Sequence, residues 1–194
     1  MKLNEVAEVR SGLVLSRKEA RLEETKARYK SLTVKSLTED GCIDTEELAD
    51  FNSKEKLEQS YLTQTGDVIV RLTYPFTAVC IKNGMEGYLV SSLFVVIRLK
   101  SESILPEFLT LLINSNRVKN EICRLNAGRS VPVVRKSIFE NLEINKISLE
   151  AQNTAVDYSN LHRKEKELLR QLADEKETLY QACLNSFIKK EDKK

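Results

Sequence analysis

The sequence predicts an α+β protein: a compact mixed α/β domain at residues 1–149, followed by a long helix at 150–190 that forms a coiled coil. β-branched runs alternate irregularly with helical patterns in the first part, which is typical of a mixed rather than a doubly wound sheet. The second part contains no glycine or proline, and its leucines recur at heptad-like intervals. Residues 191–194 are expected to form a disordered tail.

Composition limits the possible function classes. The chain has 194 residues, 41% of them hydrophobic and 31% charged, and a net charge of +2. This length supports a hydrophobic core, and the small net charge restricts any nucleic-acid surface to a local patch. No apolar run is long enough for a signal peptide or a membrane span, so we expect a cytoplasmic protein without a membrane partner.

The sequence offers no catalytic or metal-binding pattern. The four cysteines and the single histidine, His162, lack the spacing of a zinc site. We therefore expect reduced thiols that are buried or half-buried, and neither a metal nor a cofactor. Without a glycine-rich phosphate loop or a nucleophile–histidine arrangement, the chain is expected to be non-catalytic. The cysteines are Cys42, Cys80, Cys123 and Cys183.

The first half of the domain is predicted to be mainly strands. Apolar spacing predicts a short helix at Lys2–Val9, and a strand follows at Tyr29–Leu37. Residues 43–65 are polar and indicate a loop with a short helix. Two β-branched runs in Gly66–Lys82 predict two strands, and Gly87–Leu99 is either a strand pair or one long bent strand.

The second half changes to helical patterns. Leu105–Asn126 is predicted to be a helix. Short elements then complete the domain: a strand at Val131–Val134, a helix at Lys136–Asn141 and a closing strand at Leu142–Ile147. The long helix, predicted for Gln152–Ile188, would span about 55 Å.

The long helix carries one apolar stripe, which must be buried against something. Leu161, Leu168, Leu172 and Leu179 follow one another at intervals of seven, four and seven residues, and Glu165 interrupts a strict heptad. The stripe either packs back onto its own domain or pairs with another helix. We favour the helical pair, with these four leucines as the dimerisation residues.

A basic segment near the end of the domain is the first candidate for DNA binding. "NAGRSVPVVRK" contains Arg129, Ser130, Arg135 and Lys136. Its glycine allows close backbone approach, and arginine can contact a phosphate or bond guanine through two hydrogen bonds. The alternative is a solvated loop at the end of a helix.

The connection between the two strands of Gly66–Lys82 is the second candidate. "RLTYPFT" carries Arg71, Thr73 and Tyr74, and Lys82 lies at the far end of the second strand. Polar and aromatic side chains on a loop that rigid strands hold are suited to recognition. Tyr74 and Phe76 could equally cap the hydrophobic core.

The order of several segments resembles the specificity subunit of Type I restriction–modification systems. The segments are "KLNEVAEVRSG", "GDVIV", "LPEFLTLLINSN", "RKSIFENLEINKISLEAQ" and a long charged helix. The resemblance covers nearly the whole chain, and "FENLEI" and "ISLEAQ" followed by a helix are its most specific part. The connection "RLTYPF" departs from the family, where the corresponding loop is small and contains glycine.

The resemblance implies that residues 1–149 are a DNA target-recognition domain and that residues 150–190 are a spacer and dimerisation helix. In such subunits, antiparallel helices set the distance between two half-sites of double-stranded DNA and dock DNA adenine methyltransferase (modification) subunits, which a restriction subunit can join. One domain and one helix, instead of two of each, imply a half-size form. Such a form would act as a homodimer on a palindromic bipartite site.

A second interpretation uses the same residues differently. The chain could be a protein-interaction or regulatory module that does not read DNA and binds through its coiled coil. The small net charge is compatible with this interpretation. DNA binding in the presence of the partner subunits distinguishes the two.

Overall fold

The computed structural model describes residues 1–38, 40–126 and 133–191, without the side chains of 189–191. The helices and strands are, in chain order, α1 (Leu3–Val6), β1 (Ala7–Ser11), β2 (Ala27–Ser31), β3 (Ala49–Ser53), β4 (Val68–Arg71), β5 (Ala78–Cys80), β6 (Phe94–Leu99), α2 (Pro106–Asn114), α3 (Asn116–Asn126), α4 (Lys136–Glu140) and α5 (Leu149–Glu191). The predicted mixture of sheet and helix, ending in a long helix, is confirmed.

The chain forms two compact units. The first comprises Met1–Thr154, and the second begins at Ala155. The first unit thus includes the first residues of α5, whereas the prediction from sequence placed the boundary after residue 149; that division remains a prediction. None of the helices within the described ranges is long and apolar enough to cross a membrane.

A four-stranded antiparallel sheet forms the centre of the first unit, in the order β1-β6-β4-β5. Ile97 of β6 lies opposite Val9 of β1 on one side and Val68 of β4 on the other. The register therefore aligns β-branched residues across neighbouring strands, where they pack well on a pleated surface.

The sheet is buried on both faces, which explains why its inner strands are apolar without alternation. One face packs in a cluster with the helices, and the other packs against the long connections between the strands. The first cluster includes Val68, Val70, Val95, Leu109, Ile113, Ile122 and Phe139. The second includes Ile69, Val79, Val96, Leu32 and Leu37.

A separate two-stranded sheet was only partly predicted. The strand expected at Tyr29–Leu37 is β2, which begins two residues earlier and ends at Ser31, and β3 lies inside the segment 43–65 that was predicted as loop. Tyr29 faces Phe51 across these strands. Polar residues surround Phe51 in β3, so the strand has no alternating apolar pattern that would reveal it.

The helical part also needed correction. The single helix predicted for Leu105–Asn126 is divided into α2 and α3, because Ser115 is extended and its hydroxyl donates to the carbonyl of Leu112 (2.6 Å). The short helix α4 confirms the prediction for Lys136–Asn141.

Two predicted strands are absent from the described residues. Residues 133–134 and 142–147 form no strand, apart from an isolated bridge between Lys2 and Glu143. The Val134 N–H donates to the Leu72 carbonyl (2.8 Å), and residues 142–144 bond to the N-terminal segment through the Leu3 N–H to the Leu142 carbonyl (3.0 Å) and the Ile144 N–H to the Met1 carbonyl (2.8 Å). The first two residues of the predicted strand Val131–Val134 lie outside the described ranges.

Candidate functional site

The β4–β5 connection is a closed loop. The Arg71 N–H donates to the Thr77 carbonyl (2.9 Å), and the Phe76 N–H donates to the Thr73 carbonyl (2.9 Å). Arg71 Nε also donates to Thr73 Oγ1 (2.6 Å). This last bond orients the guanidinium and leaves its two terminal nitrogens without a hydrogen bond among the described residues.

Two neighbouring aromatic rings of this loop have different surroundings. Phe76 is buried in the core, whereas Tyr74 is 70% exposed. The rings meet edge to face, with centroids 5.9 Å apart and planes at 85°, an arrangement that aromatic pairs favour. The sequence left open whether these two rings cap the hydrophobic core or are available for recognition. Phe76 packs in the core, whereas the ring of Tyr74 is exposed to solvent.

The second candidate segment approaches this loop. The Val134 N–H donates to the Leu72 carbonyl (2.8 Å), and the Leu72 N–H donates to the Leu93 carbonyl (3.0 Å). Arg135, the next residue after Val134, is exposed and has no ion-pair partner within the described residues. The fold therefore brings Arg71, Thr73 and Tyr74 close to Arg135, although some 60 residues separate them in the chain.

The other predicted contact residues are placed differently. Arg129 and Ser130 lie outside the described residues. Lys136 forms an ion pair with Glu140 (2.9 Å) one turn along α4. Lys82 is exposed at the opposite end of the β4–β5 hairpin. The strand register places it five residues along the hairpin from Arg71, a distance of about 17 Å.

α2 supports the loop from the edge of the sheet. β5 is an edge strand, so one side of its backbone has no neighbouring strand among the described residues. Asn114, the last residue of α2, accepts a hydrogen bond from the Ala78 N–H (2.9 Å) and donates one to the Ala78 carbonyl (2.8 Å). These bonds satisfy the backbone at the point where the loop re-enters the sheet.

The "GDVIV" motif has a structural role that the sequence did not reveal. The buried Asp67 carboxylate accepts two hydrogen bonds from Arg98, from Nε and Nη2, both at 2.6 Å, and a third from the Gln64 N–H (2.9 Å). The bond to Asp67 raises the pKa of Arg98. This ion pair joins the start of β4 to the end of β6.

The "ISLEAQ" motif also has a structural role. The Gln152 side chain is almost fully buried, and its Oε1 accepts a hydrogen bond from the Leu105 N–H (2.9 Å). Its Nε2 donates to the carbonyls of Ser103 (2.9 Å) and Ile147 (3.2 Å). One amide thus connects the start of α5 to the segment before α2, where Leu105, the N-cap residue, has no side-chain capping bond.

The cysteines differ from expectation. Cys80 is half-buried as predicted, and burial raises the pKa of its thiol to about 12. Cys42, Cys123 and Cys183 are exposed, so the expectation of buried or half-buried thiols is wrong for these three. Their positions in a turn and on outer helix faces have no apolar pattern that would distinguish buried from exposed.

The apolar stripe of α5 is exposed in the single chain. Leu161 is 68% exposed, Leu179 is 64% exposed, and Leu168 and Leu172 are about half exposed. A cluster of exposed leucines on one helix is unusual for a monomer and indicates an interaction surface.

The chain thus consists of a mixed α+β unit followed by a long helix with exposed leucines. Residues 1–175 match the model of the family described as the Type I restriction modification DNA specificity domain, and the chain belongs to this family. The specificity subunits of this family are non-catalytic subunits for DNA recognition. The resemblance stated from the sequence is thereby confirmed.

Solved structures of specificity subunits have the same fold. The chain is similar to the HsdS subunit of Thermoanaerobacter tengcongensis, with a TM-score of 0.69, 21% identity and coverage of 89% of this chain and 43% of that one. It is also similar to a chain from a study of complex assembly and conformational transition of the type I R-M system, with a TM-score of 0.66, 20% identity and coverage of 90% and 44%.

The specificity subunit of M. genitalium is a more distant neighbour, with a TM-score of 0.51, 12% identity and coverage of 88% and 40%. This chain thus spans less than half the length of the three structures that it resembles. A search of curated proteins finds no match.

Proposed function

We propose that this chain is a non-catalytic, sequence-specific DNA-recognition subunit of a Type I restriction–modification complex, and that it contacts DNA where the β4–β5 loop meets Arg135. The observation that carries the proposal is the hydrogen bond from the Val134 N–H to the Leu72 carbonyl, which joins two segments chosen separately as candidates. Cationic and aromatic side chains on rigidly held loops suit recognition of a duplex.

The residues at this junction would have different roles. Arg71 is oriented by Thr73, and its two terminal nitrogens, which make no hydrogen bond to another described residue, suit the O6 and N7 acceptors of guanine. The exposed ring of Tyr74 suits apolar contact with a base or sugar. Arg135 and Lys136 suit phosphates, which position the protein without reading sequence. Arg129 and Ser130 lie outside the described residues and stay predicted DNA contacts on the basis of the sequence alone.

The long helix would provide the second half of the function. Leu161, Leu168, Leu172 and Leu179 pair with the same stripe of a second copy in this proposal, which presents two recognition domains to a bipartite site. DNA methyltransferase subunits, and a restriction subunit where the system cleaves, are the proposed partners. One of the similar solved chains belongs to a type I R-M system whose complex assembly was studied, which supports a partner complex here.

The first experiment is recovery of the tagged full-length chain from its own cells. We expect it to bring down an adenine methyltransferase, with two copies of this chain per complex, and methylation mapping then gives the target site. Recovery with unrelated proteins and no methylation that depends on this chain would favour the interaction module, for which the exposed leucine stripe is the supporting observation.

The second experiment measures binding of that complex to a duplex that contains the mapped site. Arg71→Ala should weaken binding by about 1–3 kcal/mol and relax specificity at one base pair. Arg135→Ala should weaken binding to all sequences and reduce the salt dependence by about one phosphate contact. Arg28→Ala is the control, because this exposed arginine lies on the separate sheet. Equal effects of all three variants would contradict the proposed surface.

A third experiment tests the pairing of the long helix. Replacement of both Leu168 and Leu172 by glutamate should yield a monomer with an intact domain, measured by sedimentation and by thermal unfolding. A persistent dimer would contradict pairing through this stripe.

A further inference from the structure

The leucine stripe of α5 is symmetric about Arg170. Leu161 and Leu179 lie nine residues before and after it, and Leu168 and Leu172 lie two residues before and after it. In an antiparallel pair related by a two-fold axis, a residue that lies n positions before the axis on one helix faces the residue that lies n positions after the axis on the other helix. Such a pair therefore requires a symmetric pattern, whereas a parallel pair, in which each residue meets its own copy, does not.

We infer that α5 pairs with α5 of a second copy in one defined register, with the two-fold axis at the level of Arg170. Leu161 then meets Leu179 of the second copy, and Leu168 meets Leu172. Leu161 and Leu168 share one heptad position, and Leu172 and Leu179 share the other core position, so every contact joins the two core positions. This inference rests on the proposed pairing of α5 and adds which side chains meet.

The residues that interrupt the stripe follow the same symmetry. Glu165 and Glu175 lie five residues on either side of the centre, and Lys164 and Lys176 lie six residues on either side. Successive side chains are about 100° apart around a helix, so Glu165 and Lys176 fall on one side of the seam, and Lys164 and Glu175 on the other. The two-fold axis preserves these sides. Glu165 therefore lies at the level of Glu175 of the second copy, and each glutamate has a lysine of the second copy beside it that offsets the like charges.

Leu169 distinguishes the antiparallel from the parallel arrangement. It is 59% exposed and lies beside the seam, where it lines an open groove of ≈ 360 Å³ together with Leu161, Leu168 and Leu172. The antiparallel axis brings Leu169 against Leu169 of the second copy. In a parallel pair in register, Leu169 would instead lie beside Gln171 of the second copy. Because burial of apolar surface is favourable, Leu169 favours the antiparallel pair.

Cysteine cross-linking of the full-length chain tests this register. The exposed Cys42, Cys123 and Cys183 are first replaced by serine. Chains with Leu161→Cys and chains with Leu179→Cys are then oxidised separately and as a mixture. We expect a disulfide-linked dimer only in the mixture. Identical positions lie 18 residues apart along the pair, about 27 Å, whereas a disulfide needs Cα atoms within about 7 Å.

The alternative results separate this inference from the proposed pairing. A disulfide in Leu161→Cys alone would show a parallel pair and overturn the inference. A dimer by sedimentation with no cross-link in the mixture would show a different register and also overturn it. A monomer before any substitution in the stripe would contradict the pairing itself.

A second measurement is independent of thiol chemistry. Leu169→Gln should raise the dimer dissociation constant at least tenfold, because two leucines lose their contact at the axis. Leu184→Gln is the matched control: Leu184 is exposed on the same helix but points away from the seam, and its substitution should leave the constant unchanged. Equal effects of the two variants would contradict the position of the axis.

Discussion

The two units of this chain differ in the exposure of their leucines. In the domain, Leu109 is completely buried between the sheet and the helices, whereas every leucine of α5 from Leu161 onward is exposed. Both segments are amphipathic in sequence. The comparison teaches that an apolar stripe predicts burial but not its location: the domain is complete within one chain, and the stripe of α5 requires a second surface.

The largest expected effect sharpens this contrast. Leu109→Ala should lower the free energy of unfolding by about 3 kcal/mol, because it leaves a cavity in a closely packed core. Leu184→Ala, the same change on the exposed helix, should alter it by less than about 0.5 kcal/mol. Urea unfolding monitored by circular dichroism measures both. A comparable loss in both variants would contradict the difference in packing.

Ion pairs provide the second comparison. Asp67→Asn removes the buried partner of Arg98 and should cost about 2–3 kcal/mol, somewhat less than for a completely buried pair, because Arg98 remains about a quarter exposed. Glu55→Gln removes the exposed partner of Lys18 and should cause no measurable change in the midpoint of urea unfolding. Similar shifts for both variants would mean that burial does not determine the strength of these pairs.

Gln152 tests the point where the helix joins the domain. Gln152→Leu leaves the Leu105 N–H and the carbonyls of Ser103 and Ile147 without this partner, and should cost about 1–3 kcal/mol. Asn153→Leu, one residue further on the exposed side, is the matched control. The measurement is the melting temperature, and hydrogen exchange at Leu105 should become faster only in the Gln152 variant.

The smallest expected effect is a difference in thiol reactivity between two cysteines, and this reactivity depends on pH. The raised pKa of Cys80, about 12, keeps its thiol protonated at neutral pH, so its thiolate fraction increases only as the pH approaches that value. Cys183 on the exposed helix should react with a maleimide at pH 7, whereas Cys80 should react only after unfolding. Mass spectrometry of labelled peptides measures the order, and labelling of Cys80 first would contradict its burial.

Much of the fold could be predicted from the sequence wherever the local pattern is strong. The β-branched runs in Gly66–Lys82 correspond to β4 and β5, and the glycine-free C-terminal segment is α5. β3 was missed, because strand pairing rather than its own composition makes it a strand. The break at Ser115 was also missed, since helical periodicity continues across it.

The residues of the candidate site could be predicted from the sequence, but their proximity could not. Composition and loop position led to Arg71, Thr73 and Tyr74, and separately to Arg135. Nothing in the sequence indicates that these segments adjoin, because the hydrogen bond between Val134 and Leu72 joins residues far apart in the chain. Lys82 lies in sequence near the first group, but the antiparallel hairpin places it at the opposite end.

By itself, the sequence determined the fold class, the long helix, the symmetric spacing of its leucines and the resemblance to a specificity subunit. These features depend on local periodicity and composition, which can be recognised from the order of the residues alone. Only the tertiary structure decided which face of each element is buried, that Tyr74 is exposed while Phe76 is not, and that Gln152 and Asp67 are buried hydrogen-bond partners. The physical reason is that burial and polar pairing depend on contacts between residues distant in sequence. Local sequence patterns do not indicate which distant residues will be in contact.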